Sequence, residues 1–538
     1  MLFRSPFFSL SRGVRQGCPL SSLLYVLVSE VLACSIRADP RIKGLSLPGC
    51  PPLSPISQYA DDTSLILTSD EGISAALDIY RCYELASGSR INLSKSKGLW
   101  LGGWRGRTDP PVPFDWSPVK LKVLGVFIGP GNLEEDNWRP RINAVDHVLK
   151  SWRARVLSFR GKALVINALA LSRVWYVASL IHMPAWVEVA LSRLVFSFFW
   201  SGKRELVSRS AVVQSPLFGG FSVVDVQSKV RALLGQWVRR FVSSPSSWVT
   251  LMSFWFNSLF GVSPFVVFSR PFSFDPRVLP PFYQALVLAW RKLDGAFATS
   301  KNSLVYGSSC PLVCSPVLTM SAKSCYLYLL SENMVQPHCV LKFEFIYPNL
   351  DWPATWRALP FFHLDRRVID LNWKIAHGVL YIARRLSSFG LSIPLSCFCG
   401  PRVESLEHLF FYCPLAQSVL AWVQSLLFCF SPMCPVITLR HVLFGFNSSD
   451  LVSVPRVFVY LLNVSKFCIW LCRNDFRFRD IRPSAVAVIA SIKARLKSYL
   501  PVSFRRCKSN RRRRVFYRQW CARGVIASVH GDSLRFAF

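Results

Sequence analysis

Ile56-Ser57-Gln58-Tyr59-Ala60-Asp61-Asp62-Thr63-Ser64-Leu65-Ile66-Leu67 is the stretch on which the reading of this chain turns. Two apolar, strand-like halves flank a polar, turn-compatible centre, which predicts a hairpin with Asp61 and Asp62 at its tip. Adjacent carboxylates between buried strands cost stability unless something neutralises them. A divalent metal does so readily, because Mg²⁺ prefers carboxylate oxygens together with substrate phosphates. Asp-Asp is equally ordinary turn chemistry, so the dipeptide alone leaves both readings open.

About 40 residues upstream lies Arg15-Gln16-Gly17-Cys18-Pro19-Leu20-Ser21. A glycine followed by a proline at the first turn starts a helix, predicted over Pro19–Arg37 from Leu20, Leu23, Leu24, Leu27, Val31 and Leu32. Such a junction turns the backbone closely past a partner and exposes free helix N–H groups, which suits a phosphate or a base pair. It is also an ordinary loop-to-helix junction. Downstream, the pattern predicts an amphipathic helix over Ile73–Ser87 ended by Gly88, then a strand over Val119–Ile128 with Gly125 at its centre. Residues 138–240 read as helical and rich in Trp and Arg, and 241–340 as Ser/Pro/Phe-rich without clear pattern. From about residue 351 the chain turns helical again, and no internal repeat is visible.

The chain has 538 residues, 64 Lys+Arg and 30 Asp+Glu, hence a net charge of +34, yet 51% of it is hydrophobic. High hydrophobicity argues against disorder, and the positive charge points to polyanions, nucleic acid or anionic membrane. The uncharged runs Phe241–Ser269 and Cys413–Leu439 are broken by prolines, so helices of a large core explain them better than membrane spans. Seventeen scattered cysteines do not form a secreted disulfide framework and read as reduced thiols. No secretory h-region is expected, because Pro6 and Arg12 interrupt the apolar N-terminal residues.

Two further segments carry chemistry. Cys397, Cys399, His408 and Cys413, spaced C-x-C-x8-H-x4-C, offer three thiols and an imidazole, enough for a tetrahedral zinc site; the alternative is an apolar helix with buried cysteines. In the tail, Arg511, Arg512, Arg513, Arg514 and Arg518 interleave with Phe516, Tyr517 and Trp520, a pattern suited to phosphates plus base stacking. The arginine run also fits a nuclear-localisation stretch or a solvated helix end.

Taken in order, Arg-Gln-Gly-Cys-Pro-Leu-Ser and Tyr-Ala-Asp-Asp resemble the reverse transcriptases of LINE-type, non-LTR retrotransposons. Gly88 to Lys97 resembles the family's fourth palm motif, and Leu124-Gly125-Val126 its "LG" strand at the primer grip. Trp152, Gly161-Lys162, Trp175-Tyr176, Met183-Pro184, Phe199-Trp200 and Gly219-Gly220-Phe221 follow the spacing of the region downstream. The Cys/His segment, with Glu404 to Phe410 and Trp422, resembles the family's C-terminal zinc-binding segment, although the family usually has two residues between its first cysteines and this chain has one. The resemblance implies Asp61 as a catalytic Mg²⁺ ligand and Asp62 as its supporting carboxylate. It implies that Tyr59 and Ala60 hold the hairpin against the primer end, that Arg15, Gln16 and Gly17 contact template and nucleotide, and that Lys95 lies near the nucleotide phosphates. The chemistry implied is two-metal phosphoryl transfer.

The departure is a missing carboxylate. The family needs another one, on a strand before the Arg-Gln-Gly motif, whereas the first acidic residue here is Glu30, inside the predicted helix. The expectation is therefore an α+β chain. Residues 1–130 form the rear half of a right-hand palm, 131–240 a helical thumb-like region, 241–390 a helical connection, 391–440 the zinc segment and 441–538 a basic helical region. Its partners are RNA template and DNA primer or target rather than membrane, its compartment the nucleus and/or cytoplasm. By itself it is expected to bind nucleic acid without polymerising.

Overall fold

The computed structural model describes residues 17–243, 246–269, 273–293, 306–307, 310–311, 321–358, 365–447, 449–531 and 533–538. Two compact units share the chain in an interleaved way: residues 1–141, 175–184 and 230–326 form the first, and residues 142–174, 185–229 and 327–538 the second. Helices dominate both, and every sheet among the described residues has two strands.

In the first unit, Pro19 at the first turn starts α1 (Pro19–Ala38), within one residue of its predicted end. The hairpin follows as β1 (Ile56–Tyr59) and β2 (Asp62–Leu65), antiparallel and in the register Ile56↔Leu65 to Tyr59↔Asp62. α2 (Asp70–Ser87) begins where the Ser69 side chain accepts from the Gly72 N–H and ends at Gly88 in the left-handed region. Leu32, Ala33 and Ile36 of α1, Ile42, Ile56 of β1, and Ala75 and Ala76 of α2 form one small core. The opposite stripe of α1 faces solvent: Leu20, Leu23, Leu24, Leu27, Val28 and Val31 are 42–68% exposed. Among the described helices α1 alone is long and apolar enough to cross a membrane; its two charged residues, Glu30 and Arg37, pair with each other.

β3 (Lys97–Leu99) pairs in parallel with β4 (Asp115–Ser117). Beside them Trp100 stacks on Trp116 at 4.1 Å, and Arg107 lies over Trp100 while bonding Asp70 and Asp109. The single strand predicted over Val119–Ile128 is instead a hairpin, β5 (Leu121–Val123) and β6 (Val126–Ile128). Leu124 and Gly125 both take positive φ, 47° and 84°, the requirement of a tight two-residue turn whose twist matches its strands. Residues 241–340, left unassigned from sequence, include helices Ser247–Phe260, Pro264–Ser269, Pro281–Leu293 and Ala322–Glu332, plus the short strands β7 (Tyr306–Gly307) and β8 (Cys310–Pro311). Phe241, Phe256, Phe265, Phe268 and Trp290 pack ring against ring there.

In the second unit, the Gly219-Gly220-Phe221 motif is a packing device. The Gly219 carbonyl accepts from Trp373 Nε1 at 2.8 Å and from His377 Nε2 at 2.9 Å. A Cβ on Gly220 would fall 2.1 Å from the Gln214 carbonyl oxygen, so only glycine fits. Phe221 packs against Phe159, Phe199 and Trp373. Farther on, the helix Arg456–Arg479 is sheathed by helices Arg366–Ala376, Pro414–Phe430 and Ala485–Arg505. Every residue from Val457 to Ile469 on it is buried, charged Lys466 included. The short strands β9 (Ser396–Cys397) and β10 (Gly400–Val403) bring Cys397 and, in their turn, Cys399, while His408 and Cys413 follow in the next helical turn and helix cap, and β11 (Ala527–His530) with β12 (Ser533–Phe536) closes the chain.

Candidate functional site

Arg15 and Gln16 lie outside the described residues, whereas Gly17 is exposed with φ +86° just before Cys18, the N-cap of α1. Asp61 sits in the two-residue turn of the β1–β2 hairpin and Asp62 on its first rung, opposite Tyr59. Both carboxylates are exposed, and Tyr59 is 70% exposed, so the hairpin tip presents acceptors and a ring to solvent. Ala60 takes φ +52°, a left-handed conformation that costs an alanine roughly 1–2 kcal/mol. Tyr25 of α1 donates its hydroxyl to the Ala60 carbonyl at 3.3 Å, tying the helix start to the turn. Burial raises the Tyr25 phenol above its ordinary value, and charge on Tyr83 and Asp61 adds to the rise. Among the described residues, the two aspartates gather no further His, Cys or carboxylate donor into a metal-sized group.

Lys95 is exposed in the turn after Asn92, its backbone N–H bonded to Asn92, and its ammonium makes no ion pair among the described residues. The Leu124–Gly125 turn is clamped from two sides: Arg141 donates to the Gly125 carbonyl at 3.0 Å and Tyr176 to the Leu124 carbonyl at 2.7 Å. Sequence reading missed both clamps. Tyr176 is 52 residues from its partner, and no local pattern announces such a bond.

The cysteine cluster comes together as its spacing requires. One donor atom each from Cys397, Cys399, His408 and Cys413 lies within 4.8 Å of all the others. A tetrahedral zinc, with Zn–S near 2.3 Å, would set its donors about 3.8 Å apart, so this set fits with a small contraction. The one-residue spacer between Cys397 and Cys399 falls in the β9–β10 turn, which brings both sulfurs to the same point. Cys399 Sγ and His408 Nε2 are 3.1 Å apart. Hydrogen bonding between Cys397 and Cys413 splits their thiols, holding Cys413 below its ordinary value and raising Cys397. Burial, helped by nearby Arg402, lowers His408, which keeps its imidazole neutral and ready to ligate.

Behind the cluster stands Glu404, wholly buried. Its carboxylate accepts from Arg473 Nη2 at 2.6 Å, from Arg477 at 3.3 Å and from the Ala383 N–H at 2.9 Å. Desolvation works to raise its pKa, but the two guanidiniums outweigh it and hold the carboxyl below the ordinary range.

In the tail, Ser509 caps a short helix, Asn510–Phe516, by accepting from the Arg512 N–H. Arg511, Arg512, Arg513, Arg514 and Arg518 are exposed. The interleaved aromatics depart from expectation: Phe516 and Trp520 are 4% exposed, packed against Phe504, Tyr460 and Tyr499, and only Tyr517 remains available to stack on a base. Core packing claims these rings because their spacing places them on the inner face of the helix. The arginines alone form the surface.

Comparison with known proteins bears on the first of these features. Residues 4–128 match the reverse transcriptase (RNA-dependent DNA polymerase) family. A transposon TX1 uncharacterized 149 kDa protein from Xenopus laevis is 33% identical over 295 residues, which is 52% of this chain. The chain spans 22% of the length of that relative.

Proposed function

Residues 4–128 belong to a reverse transcriptase domain, and from that premise we propose that the chain is part of the RNA-directed DNA polymerase of a non-LTR retrotransposon. The observation that carries the proposal is the β1–β2 hairpin, which lifts Asp61 and Asp62 to an exposed tip tied to the start of α1. In this reading Asp61 holds Mg²⁺, and Asp62 supports it from the next position. Tyr59 and Ala60 steady the primer end, Arg15, Gln16 and Gly17 meet the template and the incoming nucleotide, and Lys95 faces its phosphates. Bound magnesium would supply activation of the primer 3′-hydroxyl and stabilisation of the leaving oxygen. Cys397, Cys399, His408 and Cys413 hold zinc, which fixes the β9–β10 hairpin to the following helix. The exposed tail arginines contact phosphate.

A second reading, nucleic-acid binding without catalysis, is favoured by one observation. Among the described residues Asp61 and Asp62 gather no third carboxylate, and Glu30 is paired with Arg37 on α1. Primer extension on an RNA template with Mg²⁺ separates the two: the 538-residue chain is expected to extend nothing. Extension abolished by Asp61→Ala would overturn that expectation and establish the polymerase outright. Binding to RNA is expected in either case, with the log of affinity falling linearly against log salt. Replacing Arg511, Arg512, Arg513 and Arg514 with Gln should flatten that slope. Zinc well below one equivalent per folded chain would remove the metal from the reading.

A further inference from the structure

The second unit contains a cleft that the hairpin, the cysteine cluster and the tail do not use. A cavity of about 490 Å³ opens between the turn at Leu157–Ser158 and the helix Arg366–Ala376, lined on the helix side by Arg366, Arg367 and Asp370. A hollow of about 220 Å³ shares Arg367 and Asp370 and reaches Lys374, Tyr381, Phe467 and Trp470. The larger cavity alone falls within the size of small-ligand sites, roughly 300–1,000 Å³. Helical spacing explains the lining: residues 366, 367, 370 and 374 share one face of their helix, and Phe467 and Trp470 are one turn apart on theirs.

The chemistry of the cleft is graded. Its floor is apolar, with Leu371, Leu380 and Phe467 buried. Tyr381 and Trp470 stand half-buried at the sides, and Arg366 and Arg367 are exposed at the mouth. Arg367 pairs with Asp365, also at the mouth, at 3.1 Å, whereas Arg366 and Lys374 make no ion pair among the described residues. Asp370 is the one carboxylate shared by both cavities; its oxygens accept from the Phe159 N–H at 3.1 and 3.3 Å, which leaves acceptor capacity toward the open space. Burial raises this carboxyl to about 6, so it is mostly ionised at neutral pH and gains from a further N–H donor. A slot with an apolar floor and aromatic sides, an unpaired Arg366 beside the Arg367–Asp365 pair at its mouth, and one inward carboxylate matches the parts of a nucleotide.

We propose that this cleft binds one nucleotide of a single-stranded nucleic acid, with the base between Tyr381 and Trp470, the phosphate at Arg366 and Arg367, and Asp370 accepting from the base. Among the bases, guanine presents two adjacent N–H donors on one edge and so matches the two oxygens of a carboxylate. The cleft therefore prefers guanine. The inference rests on the chain being a nucleic-acid binder, and it adds a base-reading contact to the phosphate contacts of the tail.

The test uses the full chain with Arg511, Arg512, Arg513 and Arg514 changed to Gln, so that the tail does not mask the cleft. Fluorescence anisotropy is measured with an oligouridylate and with the same strand carrying one central guanosine. Tighter binding of the guanosine strand is expected, with Asp370→Asn erasing the preference while oligouridylate affinity holds. Joint Arg366→Gln and Arg367→Gln, both exposed and so harmless to folding, should weaken binding about tenfold and lower the salt slope by about one to two. Trp470→Ala should weaken it about tenfold while Trp470→Phe keeps most of the affinity; the pair separates stacking from folding. Unchanged affinity and slope in the double-arginine variant would overturn the cleft. So would a tail-substituted protein that binds neither strand while the wild type binds both. A wild type that binds neither strand would instead overturn the nucleic-acid reading itself.

Discussion

Two long helices of this protein meet opposite fates. In the first unit, α1 packs Leu32, Ala33 and Ile36 on a core of seven buried residues and holds its other apolar stripe, Leu20 to Val31, in solvent. In the second, helix Arg456–Arg479 is enclosed so completely that a lysine on it is 2% exposed. The difference lies in what surrounds them: the first unit offers α1 one helix and a two-stranded hairpin, the second surrounds its central helix with three others. Helix formation is a local event, but the burial that stabilises it is supplied by neighbours. Stability should accordingly concentrate in the second unit, and substitutions there should act far more strongly than on α1.

The largest effect is expected at Glu404. Glu404→Ala leaves Arg473 and Arg477 without their shared carboxylate, Arg473 being 4% exposed, and should cost about 3–5 kcal/mol in denaturant unfolding. A loss below about 1 kcal/mol would break the comparison, because it would mean the interior of the second unit is open to water.

Next comes acid. Burial lowers His377 from 6.5 to about 4, beside Trp356, Trp373 and the Gly219 carbonyl. The unfolded chain therefore binds a proton that the folded chain refuses, and stability should fall as pH drops from 6.5 toward 4, by about 3 kcal/mol in all from this group. Urea midpoints across that window, compared between wild type and His377→Gln, check it; equal pH slopes would count against the buried imidazole.

Lys466 gives a pH dependence of the same sign in a higher window, but its replacement should stabilise rather than destabilise. Burial alone pushes its ammonium down from 10.5 to about 7. Because the unfolded lysine holds its proton more tightly, wild-type stability should rise with pH between these values. Lys466→Met should raise the melting temperature at pH 7, by the equivalent of about 2 kcal/mol, and the gain should shrink as pH rises from 7 and be largely gone above about 10.5. A destabilised variant would point to an anionic partner for Lys466.

The smallest effect belongs to α1. Leu23 and Leu27 are 62% and 68% exposed, so Leu23→Lys with Leu27→Lys should change stability by less than about 0.5 kcal/mol. The same pair should reduce self-association in sedimentation, since it breaks an exposed apolar stripe. A large loss of stability would show that this stripe is covered in solution.

The sequence by itself determined the local devices. Pro19 and Ser69 start helices, Gly88 ends one, and the alternation around Asp61 and Asp62 makes the hairpin; each depends on residues a few positions apart, within reach of propensity and capping. The order of motifs also pointed to the reverse transcriptase family, and the spacing of Cys397, Cys399, His408 and Cys413 to one cluster. What only the tertiary structure decided were contacts distant in sequence. Arg473 meets Glu404 across 69 residues, Trp373 meets Gly219 across 154, and the cleft joins residues 156–158 to 365–374 and to Trp470. It also decided which faces are covered. The periodicity of α1 and the interleaved aromatics of the tail each announced an apolar face; packing buried Phe516 and Trp520 and left Leu20 to Val31 bare. Periodicity states which side chains lie together, whereas burial depends on what else is near, and that is set by parts of the chain no local pattern can see.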